Sequence, residues 1–126
     1  MEANADVLFE EAIQKLKEAN TELHRPEEDV VASLVCSNAQ HAIQNYLEGF
    51  LVRNGVVPGE DETIDTLYAQ CKKINTKFGE VSLSGFDCTA HKADSRFCND
   101  FSKFSRCFDI ADSLDTFLRR EGIIDL

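Results

Sequence analysis

Cys88-x-x-His91, followed by Cys98 and Cys107, carries the donor types of a zinc site. Thiolate and imidazole both suit zinc, but a structural site wants close pairs in a knuckle and four converging ligands. The second pair here is separated by eight residues and falls on a helical pattern, so these residues are read as thiols and no metal is assigned. His41 stands on a helical segment away from its apolar stripe, and His24 precedes Arg25-Pro26 at a helix junction. A nucleophilic Cys–His pair would have to be assembled from residues distant in sequence, because no local motif supports one. The six glycines are read as helix ends and loops, with no glycine-rich phosphate loop among them. No cofactor is expected.

Charge narrows the chemistry further. The net charge of −10 argues against generic nucleic-acid binding, which needs clustered Lys and Arg for phosphates. The charge is uneven: residues 1–30 hold nine acids against three bases, while residues 91–126 hold seven against six. Within that last stretch Lys92, Arg96, Lys103 and Arg106 outnumber Asp94 and Asp100, which makes a locally basic segment. The five cysteines are an odd number, and Cys36, Cys71 and Cys107 fall at or beside apolar helical positions, where thiols act as small buried hydrophobes. With no apolar run of membrane-spanning length and no basic or apolar leader, the chain is read as cytoplasmic.

Helices must position all of these groups. Residues 1–126 are read as one all-α domain, an up-and-down bundle of four main helices. The first is predicted from Ala5 to Leu23, with Phe9, Ala12, Ile13, Leu16 and Leu23 as its stripe. The second is predicted from Pro26 to Asn54, with Ala39, Ala42, Ile43, Tyr46, Leu47, Phe50 and Leu51 on one face and Gly55 as its left-handed stop. The third starts near Asp61 or Thr63, carries Ile64, Leu67, Tyr68, Cys71 and Ile74, and ends before Gly79. Residues 79–93 read as a loop, a single helical turn or a short extended piece. The fourth runs from about Asp94 to Glu121 and ends at Gly122.

The fourth helix has two apolar lines, one through Phe97, Phe101, Phe104, Phe108 and Ala111, the other through Ile110, Leu114, Phe117 and Leu118. Its phenylalanines are read as core rather than as a base-stacking platform. A helix wet on one side needs a single stripe. Helix 2 adds a mixed face of Leu34, Asn38, His41 and Asn45 nearly opposite its main stripe. A homodimer is therefore predicted, with Leu34, His41, Ile110, Leu114 and Phe117 at its interface.

The run Ala39-Gln40-x-Ala42-Ile43-x-x-Tyr46-Leu47-x-x-Phe50-Leu51, ending in Asn54-Gly55, resembles the second helix of the HEPN family (higher eukaryotes and prokaryotes nucleotide-binding domain). Asn54-Gly55-Val56-Val57-Pro58, then Leu67-x-x-x-Cys71 and Phe78, then Ser95-Arg96-Phe97 before a Phe-rich helix, follow in the family's order. The resemblance covers roughly residues 5–121. It implies a helical bundle, a nucleotidyltransferase-type protein as partner, and contact with nucleotide or RNA, which the acidic charge disfavours.

Ribonuclease members of this family carry an Arg and then a His with four to six residues between them. Arg96 matches the Arg, but Phe101, Ser102 and Lys103 stand where the His would be, and His91 precedes Arg96. No catalytic residue is assigned; Arg96, Lys103 and His91 are the weak candidates. Arg96, Lys103, Arg106, His41 and Asn45 are the candidate binding residues. The favoured reading is a non-catalytic, dimeric HEPN-like interaction module, and the alternative is a divergent metal-independent ribonuclease using Arg96 with Lys103 or His91. General acid–base catalysis contributes about 10²–10⁴-fold, and a lysine, cationic at neutral pH, is a poor base. Purified protein incubated with structured and single-stranded RNA is therefore expected to cleave neither. Robust cleavage abolished by Arg96→Ala or His91→Ala would establish the ribonuclease instead.

Overall fold

The computed structural model describes residues 5–26, 32–59, 62–82 and 101–124, with side chains described in the same stretches except at 32–33 and 101–105. They form four α-helices and a 3-10 helix, with no strand among the described residues. The order is α1 (Ala5–Leu23), α2 (Ala32–Arg53), α3 (Ile64–Ile74), the 3-10 helix (Thr76–Glu80) and α4 (Phe101–Arg120). This is the all-α bundle that the periodicities predict. The predicted beginning of the fourth helix, at Asp94, lies outside the described residues, as do residues 27–31, which follow the predicted beginning of the second at Pro26.

α2 is the central element and packs against α1, α3 and α4. Val35, Cys36, Ala39, Gln40, Ala42, Ile43, Tyr46, Leu47, Phe50 and Leu51 are all buried. At 100° per residue these positions sweep about 180° of the helix circumference. Packing against three neighbours requires a buried face this wide.

One glycine departs from its expected place. Gly49 is neither a helix end nor a loop but lies inside α2, where a Cβ would sit 2.6 Å from Cε1 of Phe9. The missing side chain lets α1 lay the Phe9 ring directly on the α2 backbone. Gly55 and Gly122 do stop their helices, with φ of 80° and 76°. Each closes its helix with the paired bonds of a Schellman turn: Gly55 N to Val52 O and Val56 N to Leu51 O, then Gly122 N to Arg119 O and Ile123 N to Leu118 O.

α3 begins at a Thr63–Thr66 capping box and buries Ile64, Leu67 and Cys71. The Cys71 thiol donates to Leu47 O of α2 at 3.5 Å. The helix ends four residues earlier than the pattern suggests. Asn75 turns extended, and its side-chain oxygen accepts from Lys77 N, capping the 3-10 helix. Ile74, predicted on the buried stripe, is consequently 42% exposed, and Phe78 takes the interior place. Its ring centroid lies 4.6 Å from that of Phe50 and 4.8 Å from that of Phe117. The Tyr68 hydroxyl is shared between Phe78 O at 3.0 Å and Val81 O at 2.7 Å, which fixes this turn on α3.

The burial of α4 corrects the predicted dimer interface. Ile110, Leu114 and Phe117 are at most 2% exposed within the single chain. The second apolar line of α4 is covered internally, because this helix packs on both α2 and α1 and meets Phe78 through Phe117. Of the five residues assigned to the interface, only Leu34 and His41 retain exposed surface.

The close approach of α1 to α2 yields a stability test. Gly49→Ala is expected to destabilise the fold by about 1–3 kcal/mol through overpacking, despite the roughly 1 kcal/mol by which alanine favours a helix over glycine. Urea unfolding measures it. Phe9→Leu should cost less in the Gly49→Ala background than alone, because the smaller side chain relieves the overlap.

Candidate functional site

The residues that the family resemblance singles out are only partly described. His91 and Arg96, with Cys88 and Cys98, lie outside the described residues. Lys103 is placed on α4 by its backbone, and its side chain lies outside them. Arg106 is half-buried, and its guanidinium donates to Ser82 O at 3.2 Å, joining α4 to the chain that follows the 3-10 helix. Among the described residues no group of three or more His, Cys, Asp or Glu side chains could hold a metal ion, and no helix is long and apolar enough to cross a membrane.

His41 and Asn45 sit one turn apart on the outer face of α2, both half-buried. Leu34, 47% exposed, and Asn38 extend this face toward the beginning of the helix. There a cleft of about 380 Å³ opens between α1 and α2, where Leu34 and Asn38 face Lys17, Glu18, Glu22 and Arg25, two bases and two acids. The face has a property that its residue types alone do not advertise. From Val30 to Leu47 the chain contains no Asp, Glu, Lys or Arg, although 29% of all its residues are charged. The buried side of a helix is expected to lack charge; here the outer side lacks it too, until Glu48. That outer side presents amides, an imidazole and a hydroxyl, groups that both donate and accept hydrogen bonds.

Two polar clusters join α2 to α4. In the first, the Tyr46 hydroxyl donates to Asp115 Oδ2 at 2.6 Å, and Asp115 Oδ1 accepts from Arg119 Nε at 2.7 Å. Burial, with the hydrogen bond to Asp115 and its charge, pushes the Tyr46 phenol well above its usual range, so it stays a neutral donor. This is a structural lock, since each group is committed to its neighbour.

The second cluster is deeper. Cys36 and Cys107 are buried with their sulfurs 3.6 Å apart, and the Gln40 amide donates to Cys36 Sγ at 2.9 Å. Gln40 Oε1 is buried and has no hydrogen-bond partner among the described residues, an arrangement that typically costs about 1–3 kcal/mol. Sequence reasoning passed over Gln40 as part of a motif. The signal was its spacing, four residues after Cys36 and seven before Leu47, which puts a polar amide on the buried side of α2.

No family model, curated protein or solved structure matches this chain. Its own geometry therefore carries the functional reading: an outer face on α2 that holds no charged residue from Leu34 to Asn45 and meets one at Glu48, and no assembled catalytic group among the described residues.

The outer side of α4 supplies a pH test. Asp112 borders a cleft of about 250 Å³ with Glu80, Ser113, Thr116 and Arg120. Partial desolvation, then the nearby charges of Asp115 and Asp109, raise its carboxyl above the ordinary aspartate value. A carboxyl raised in the folded state holds its proton more tightly there than in the unfolded chain. Its ionisation therefore opposes folding at neutral pH and ceases to do so once the pH falls below the unfolded value. Asp112→Asn is expected to raise the melting temperature slightly at pH 7 and to have no effect near pH 3, as followed by circular dichroism.

Proposed function

We propose that this chain is a non-catalytic helical interaction module of the HEPN type, which pairs with a second copy of itself through the outer face of α2. The observation that carries the reading is the absence of charge from Val30 to Leu47 in a protein of net charge −10. Two such molecules repel each other over most approaches. They can meet without that penalty where neither presents a charge. A two-fold interface brings the same patch together from both sides, so it must be self-complementary. Asn38, His41 and Asn45 meet that condition, because each offers a donor and an acceptor, and Leu34 adds an apolar contact.

The nucleotidyltransferase-type partner rests on the family resemblance alone, and the negative charge favours protein over RNA. The ribonuclease alternative depends on Arg96, Lys103 and His91; the RNA assay described above decides it.

Light scattering after size exclusion tests the pairing. The protein is expected to run as a dimer at high micromolar concentration. Leu34→Glu, at a half-exposed position, should give monomer with an unchanged helical spectrum, and His41→Glu should do the same. Wild-type protein that is monomeric at these concentrations would sink the proposal, as would a Leu34→Glu, His41→Glu double variant that remains dimeric.

A further inference from the structure

We propose that Cys36 and Cys107 form a redox-active dithiol, which a hydroperoxide converts into a disulfide joining α2 to α4. The two sulfurs are in van der Waals contact at 3.6 Å, on different helices, between residues 71 apart in sequence. A disulfide requires about 2.05 Å, so the remaining approach is about 1.5 Å. Side-chain rotation and a small helix adjustment share it.

The surroundings of Cys36 differ from those of an inert core thiol. Cys71 is the internal contrast: equally buried, it gives its proton to Leu47 O, and burial pushes its thiol up to about 12. Cys36 accepts where Cys71 donates. The hydrogen-bonded contact with Cys107, and after it the amide of Gln40, hold its thiol below the ordinary value even though burial opposes this. A neutral thiol is a weak acceptor. Gln40 nevertheless directs its buried NH₂ to this sulfur and leaves its own carbonyl oxygen without a partner among the described residues. That orientation is favourable when the sulfur carries negative charge, because a charge-assisted hydrogen bond is about twice as strong as a neutral one.

The reaction follows in two steps. The Cys36 thiolate attacks the terminal oxygen of the hydroperoxide; the O–O bond breaks, a sulfenic acid forms, and the departing alkoxide takes up the proton that Cys36 released. The Cys107 sulfur then attacks the sulfenic sulfur; the S–S bond forms, and hydroxide leaves as water with the proton from Cys107. Two thiols and one hydroperoxide thus become a disulfide, an alcohol and water. Hydrogen peroxide, for which the alcohol is a second water, is small enough to reach the pair through local opening of the bundle.

Peptide mapping of the intact protein tests this directly. The reduced protein is treated with hydrogen peroxide, its remaining thiols are alkylated in denaturant, and the digest is analysed by mass spectrometry. The expected product is the peptide of Cys36 linked to that of Cys107, two hydrogens lighter than the sum, with Cys71 alkylated. Oxidation should raise the melting temperature by about 5–15 °C, and dithiothreitol should reverse the rise. Cys36→Ser and Cys107→Ser should each remove both the link and the rise. If either variant fails to fold, the map of the wild-type protein still decides. Alkylation of both cysteines after treatment, linkage of Cys36 to a different cysteine, or oxidation to sulfinic acid without linkage would overturn the proposal.

Discussion

The contact on which the bundle depends is the seating of the Phe9 ring on the bare backbone at Gly49. It sets how closely α1 lies to α2, and α2 is the helix against which everything else is placed. The contact is fenced by Arg53, whose guanidinium lies 5.3 Å from the Phe9 ring centroid, pairs with Asp6 and donates to Ile123 O at 2.9 Å. Exposed ion pairs contribute about 0–1 kcal/mol each. The value of Arg53 is therefore geometric: one side chain holds the start of α1, the end of α2 and the chain after α4 in a fixed relation.

A second constraint follows from α3 being short. An eleven-residue helix cannot cover the lower end of the α2–α4 seam alone. The 3-10 helix completes the cover by inserting Phe78 between Phe50 and Phe117. Tilted and edge-on ring packing suits three aromatic side chains from three elements better than parallel stacking does. Outside this wedge Glu80 pairs with Arg120 at 2.5 Å and Lys77 with Glu121 at 3.3 Å, so the turn is also attached to α4 at the surface.

Element type was legible in the sequence because three- and four-residue apolar spacing is a direct consequence of helix geometry. The end of the first helix at Leu23 is legible, as are the two glycine stops. What escaped were features decided by tertiary packing. The apolar spacing runs on through Asn75, but the chain turns extended there, and Phe78 rather than Ile74 is buried. Gly49, read with the other glycines as a helix end or loop, lies inside α2 as the seat of the Phe9 ring. Two apolar lines on α4 suggested a second subunit, whereas Ile110, Leu114, Phe117 and Leu118, the whole of the second line, are buried within one chain. The Cys36–Gln40–Cys107 cluster joins residues from opposite ends of the chain, and no local pattern announces a contact of that kind.

The Arg53 clasp has a topological consequence. A residue that touches Asp6 and Ile123 at once brings the first and last turns of the described chain to one pole of the bundle. The fold is in effect a ring fastened by a side chain rather than by a peptide bond. A short linker could replace the clasp covalently, and the chain could then be opened elsewhere without disturbing the core. The loop after α2, where Val57 is 86% exposed, offers such an opening. The order in which the helices are synthesised is thus separable from the way they pack.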